Sequence, residues 1–132
     1  MKKEIKTLVG HRMDRAKESY ADGMALLTEG RLHSAVNRFY YAAFYATRAL
    51  LATKGLDSSK HGGVISLFHQ HFVKTGTFSP EISRTLTESF ERRQDSDYGD
   101  FAEVSRPEVE ALKESVRQFI EECKRVLSVL LK

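Results

Sequence analysis

Four groups of residues carry side chains that could do chemistry. Lys60-His61-Gly62-Gly63 combines two basic side chains with glycines that let a backbone approach a ligand closely. At a helix start, free N–H groups there would suit a phosphate, and the competing reading is a flexible loop ending in a cap. The glycine spacing fits neither a P-loop nor a dinucleotide fingerprint. Arg92, Arg93, Asp95, Asp97 and Tyr98 form a tight charged cluster. Asp97 could orient an arginine through a paired hydrogen bond with Tyr98 beside it, which serves catalysis or locks a turn. Arg38, Tyr41, Tyr45 and Arg48 set cations among aromatic rings at helical spacing. Such a line stacks bases and holds phosphates, or builds a dimer or helix–helix interface, and the interface is the first reading. His69 and His71 form a His-x-His pair. On a helix these point apart, whereas helical metal pairs use i, i+4 spacing, so they are read as ordinary histidines and no metal site is assigned.

These residues must be positioned by helices. Residues 34–54 contain neither Gly nor Pro and are followed by Gly55, the pattern of one long helix with a glycine stop. Val36, Phe39, Tyr40, Ala43, Thr47 and Leu50 fall on one face, and Ala42, Ala46 and Ala49 make a second, smooth face. The third line is Ser34, Arg38, Tyr41, Tyr45 and Arg48. A helix apolar over most of its surface belongs at the centre of a bundle. Before it, residues 3–29 predict a helix with Leu8 or Val9, Met13, Ala16, Tyr20, Met24 and Leu27 inward, a stop at Gly30 and a short turn at 31–33. The two should form an antiparallel hairpin. After a polar loop, Ser58 or Ser59 could cap a third helix to about Lys74 with Val64, Leu67, Phe68 and Phe72 buried. Residues 75–78 read as a loop. Ser79-Pro80-Glu81 starts a fourth helix carrying Ile82, Leu86 and Phe90, fraying at residues 95–100. Ser105-Arg106-Pro107-Glu108 reads as a capping box opening the last helix. The expectation is one all-α domain over residues 1–132, an up-and-down bundle of about five helices.

The bulk numbers agree. The chain has 132 residues, 41% hydrophobic and 30% charged, an ordinary globular composition. A net charge of +3 permits a nucleic-acid or nucleotide ligand without demanding one. One cysteine, Cys123, excludes an internal disulfide and a cysteine-based zinc site. No apolar run approaches the ~20 residues of a membrane span, and the Lys-rich start lacks the apolar core of a signal peptide. The expected location is cytoplasmic, with no membrane partner and no cofactor.

The central helix, Ser34 through the Tyr40-Tyr41-Ala42 run to Ala49-Leu50-Leu51, resembles the HEPN family (higher eukaryotes and prokaryotes nucleotide-binding), in particular its small stand-alone prokaryotic branch. His61-Gly62 opening the third helix and Arg93 followed by Asp97-Tyr98 after the fourth fit the same pattern. The resemblance implies a helical bundle that dimerises through its central helices. It also implies a small nucleotidyltransferase as partner, in a two-component, toxin–antitoxin-like pair. Many members are metal-independent ribonucleases built on an Arg, four to six residues, then a His. This chain departs from that motif: no histidine follows His71, and Asp97 stands where the histidine is expected. Asp97 is an anion at neutral pH and does not replace a near-neutral acid–base group.

Three functions follow as expectations. The first is a non-enzymatic or weakly active homodimer that binds nucleotide or RNA through Lys60, His61, Arg92, Arg93, Asp97 and Tyr98 and partners a nucleotidyltransferase. The second is an endoribonuclease with Arg93 and His61 as catalytic residues, which requires the fold to bring them together. The third is a structural interaction module. The Arg38, Tyr41, Tyr45 and Arg48 line is the expected dimer interface.

Overall fold

The computed structural model describes residues 1–99 and 103–132, and for Tyr98 the backbone alone. Five helices follow one another: α1 (Lys3–Thr28), α2 (Leu32–Ala52), α3 (His61–Phe68), α4 (Pro80–Tyr98) and α5 (Arg106–Leu130). A π-helical turn, His69–Val73, continues α3. No strand occurs among the described residues, and no helix there is long and apolar enough to cross a membrane. The fold is all-α.

The reason α2 sits at the centre is its composition. Of its 21 residues 13 are buried, and α1, α3, α4 and α5 all pack on it. Alanines at 35, 42, 43, 46 and 49 are fully inaccessible, so neighbouring helices approach its backbone closely, while Phe39, Tyr40, Leu50 and Leu51 fill the space between them. Each such large apolar side chain contributes about 1.5–3 kcal/mol on leaving water. The third line of the helix stays half-buried at Arg38, Tyr41, Tyr45 and Arg48, with Ser34 exposed.

The turns follow from glycine. Gly55 has φ +68, its N–H donates to the Ala52 carbonyl, and the Leu56 N–H reaches back to the Leu51 carbonyl. Gly30 closes α1 the same way, which folds α1 back on α2 as the expected hairpin.

Some expectations are corrected. Met24 and Leu8 are 44% and 39% exposed, while Val9 is buried. The face of α1 that meets α2 runs through Ala16, Ser19, Gly23 and Leu27, because the Phe39 ring needs the notch at Gly23: a Cβ there would lie 2.7 Å from it. α2 begins at Leu32, so the three-residue link is residues 29–31 rather than 31–33. α3 starts at His61, with Lys60 at its N-cap position and no side-chain cap. Ser58 accepts instead from the Lys60 N–H, within the loop. Residues 75–78 form a loop as expected, and within it Phe78 is buried against Phe68, Phe72 and Phe119. α4 does not fray at Asp95 but runs to Tyr98. Its last turn is held by the Arg93–Asp97 pair at i, i+4 and by bonds from Asn37 to Asp97 and between His33 and Ser96. Ser79 and Ser105 cap α4 and α5. Only half of the expected box forms at α5, since the Glu108 carboxylate pairs with Arg92 at 3.1 Å.

Candidate functional site

His61 opens α3 against the middle of α2. Its ring stacks on Phe44 with centroids 4.5 Å apart and planes at 17°, and near-parallel rings of Tyr40 and Phe90 lie 5.6 and 6.0 Å away. Tyr41 meets it edge-on. Nδ1 of His61 is 2.5 Å from the Tyr40 hydroxyl. Burial pushes the Tyr40 phenol far up, so it stays protonated. When it donates to Nδ1, the neutral imidazole carries its own proton on Nε2. Burial first, then the positive charges of Arg93 and Arg48, hold the His61 imidazole below its ordinary value of 6.5. At neutral pH it is therefore an uncharged group able to take or pass a proton.

Arg93, on α4, reaches the same rings. Its guanidinium carbon lies 5.7 Å from the Tyr40 centroid and 5.6 Å from that of Tyr41, the range of cation–π attraction. Its Nε pairs with Asp97 Oδ2 at 3.1 Å, and Asn37 Nδ2 donates to the same oxygen at 3.2 Å. Asn37 Oδ1 in turn accepts from Arg38 at 3.1 and 2.6 Å. A chain of contacts thus runs from Arg93 through Asp97 and Asn37 to Arg38. It borders an open groove of about 350 Å³ lined by Leu26, His33, Ser34, Asn37, Arg38 and Asp97.

The fold thus gathers His61 and Arg93 around Tyr40 and Tyr41, with Asp97 paired to Arg93. Lys60 is exposed one residue before His61. Arg92 turns to Glu108 on α5 instead. The side chain of Tyr98 lies outside the described residues. Along the third line of α2, Arg38 lies 5.0 Å from the Tyr41 ring, and Tyr45 accepts from Arg15, whose guanidinium covers its ring at 4.9 Å. Arg48 binds Asp57. His69 contacts Thr87, and among the described residues no three His, Cys, Asp or Glu side chains gather for a metal.

Sequence reasoning missed Tyr40, Asn37, His33 and Asp57 as members of this neighbourhood. Tyr40 lay on the core face, and its hydroxyl was the available signal that this position is not wholly apolar. Asn37 and His33 sit one and two turns before Tyr41 and gave no sign of reaching α4.

The chemistry on offer is that of a cationic, aromatic-walled surface with one neutral imidazole. Comparison with known proteins agrees on the fold that carries it. The HEPN domain model matches residues 9–126. A UPF0332 protein of Thermotoga maritima is 42% identical over 118 residues, 84% of this chain and 89% of that protein. Two proteins of Methanocaldococcus jannaschii are named "Putative toxin". MJ0142 is 31% identical over 126 residues, 96% of this chain and 83% of its own length; MJ0605 is 30% identical over 131 residues, 99% and 97%. With the domain match spanning nearly all of α1 to α5, this chain belongs to the HEPN domain family.

Proposed function

We propose that this protein is a toxin-like HEPN protein of a two-component system that binds RNA or nucleotide phosphate through Arg93, His61 and Lys60. The observation that carries the proposal is the convergence of His61 and Arg93, 32 residues apart, on the Tyr40–Tyr41 rings. A guanidinium beside the half-buried Tyr41 ring favours a single strand, whose phosphates and bases can meet both kinds of group. The two relatives named as toxins support the system-level part. A nucleotidyltransferase as partner and a homodimer through Arg38, Tyr41, Tyr45 and Arg48 belong to the same proposal. Fluorescence anisotropy with labelled single-stranded RNA tests the binding. Wild type should bind and lose affinity steeply with added salt, and Arg93→Ala should weaken it at least about tenfold, as expected for a charged hydrogen-bond donor. Equal affinity of the two proteins would reject Arg93 as the phosphate contact.

The neutral imidazole favours a second reading, a metal-independent ribonuclease. His61 would take the proton from a ribose 2′-hydroxyl as its oxygen attacks the adjacent phosphorus, and Arg93 would stabilise the charge on the five-coordinate phosphate. The bond from phosphorus to the 5′-oxygen then breaks, leaving a 2′,3′-cyclic phosphate and a 5′-hydroxyl protonated by the His61 imidazolium or by water. Incubating labelled RNA with wild type, Arg93→Ala and His61→Ala in EDTA decides it. Cleavage by wild type alone supports these roles, whereas no cleavage by any of the three leaves the binding function.

A further inference from the structure

The loop of residues 53–60 delivers His61, and its one carboxylate, Asp57, has four donors around it. Asp57 Oδ2 accepts from Arg12 Nη2 at 3.1 Å and from Arg48 Nη2 at 2.8 Å. Its Oδ1 accepts from Arg48 Nε at 3.2 Å and from the Ser58 N–H at 2.8 Å. Arg12 also donates through Nη1 to the Arg48 carbonyl at 2.9 Å. The Arg12 side chain is only 11% exposed, and a cation so enclosed needs a counter-charge. Arg48 is held by a two-pronged fork, the geometry in which a guanidinium and a carboxylate fix each other most firmly. Its guanidinium carbon lies 5.9 Å from the Phe44 ring on which His61 stacks.

We infer that Asp57 is a positioning residue for the His61 site, fixing Arg48 beside the Phe44–His61 stack. Without that fork the long Arg48 side chain regains its rotamers and spends its charge in solvent. With it, Arg48 stands as a second fixed cation near the imidazole. Among the described residues the groups facing His61 are Tyr40, Tyr41, Phe44 and Arg48 from α2 and Phe90 and Arg93 from α4. Arg93 and Arg48 are the charges among them, and Asp57 governs the second. The same carboxylate, through Arg12, ties the loop to α1, so the placement of Arg48 and the approach of His61 are set by one residue. For its consequence in binding, the inference rests on the RNA reading above. Its geometric content does not.

A double-mutant cycle on the full chain tests it, read by NMR titration of the His61 ring protons in wild type, Arg48→Gln, Asp57→Asn and the pair. Removing Arg48 should raise the His61 midpoint. In the Asp57→Asn background the same change should have less than about half the effect, because Arg48 is no longer fixed there. An equal shift in both backgrounds overturns the inference, as does no shift in either. Asp57→Glu, which keeps the charge and displaces it by one methylene, replaces Asp57→Asn if that variant does not fold. Anisotropy with labelled single-stranded RNA on the same four proteins gives the functional arm, in which the two single losses of affinity should be non-additive. If wild type binds no RNA, the proposed function falls, while the titration cycle still decides the role of Asp57.

Discussion

At the scale of the residue, the proton affinity of His61 makes folding depend on pH. The unfolded chain takes up a proton on this ring near 6.5, whereas the folded ring, buried on aromatic faces beside Arg93 and Arg48, takes it up at lower pH. Between those two values the unfolded state binds more protons, so stability rises with pH. The contribution is complete above 6.5 and is lost as pH falls from there through the folded value. Urea denaturation at a series of pH values should therefore show wild type losing stability relative to His61→Gln as pH drops below 6.5. Parallel curves for the two proteins would show that the ring is not held neutral by the fold. The types of residue in this site were legible in the sequence, since His61 with its glycines and Arg93 with Asp97 stood out by composition alone. Their meeting was not. It depends on α3 and α4 docking on the same stretch of α2, and no local pattern encodes which ring a side chain will stack on. Tyr40 shows the difficulty: helical periodicity placed it on the buried face, correctly, while its hydroxyl reaches the site.

At the scale of the element, helical period and turn chemistry were readable because they are local. The five helices, the glycine-terminated hairpin and the serine caps of α4 and α5 follow from residues within a turn or two of each other. The start of α3 was not, because Ser58 serves the loop rather than the helix. It accepts from the Lys60 N–H and packs directly over Gly63, where a Cβ would lie 2.1 Å from Oγ and 2.8 Å from Cβ of Ser58. Gly63 is thus required by space, and the phosphate-cradle pattern that its sequence suggests has a structural origin as well. Gly63→Ala should destabilise the protein by about 1–3 kcal/mol, as overpacking does. Ser58→Gly removes both clashing atoms, so Gly63→Ala should cost much less in that background. Thermal denaturation of the four proteins measures the coupling, and equal costs in both backgrounds would mean the strain lies elsewhere. The loss should extend to the His61 site, because the loop that moves is the one bearing Asp57.

At the scale of the whole molecule, the question is what covers the third line of α2. Arg38, Tyr41, Tyr45 and Arg48 are half-buried in one copy, and Arg15 from α1 widens the strip. Three of its cations already have partners within the chain: Arg38 on Asn37, Arg15 on Tyr45 and Arg48 on Asp57. That matters for self-association, since a two-fold axis would bring like charges together, and arginines tied into their own chain leave the tyrosines as the groups for a second copy to pack against. Tyrosines flanked by arginines, one of them neutralised by Asp57, have the composition enriched in interface cores. If copies pair here, the His61–Arg93 site of each copy adjoins the interface, because Tyr41 contacts both the strip and the site. Sedimentation equilibrium should then return twice the chain mass for wild type. Tyr45→Glu sets two carboxylates against each other across the axis and should return the single-chain mass, with helical content unchanged by circular dichroism. A wild-type monomer at micromolar concentration would remove the homodimer from the proposal and leave this strip as a surface for nucleic acid or for the second component of the pair.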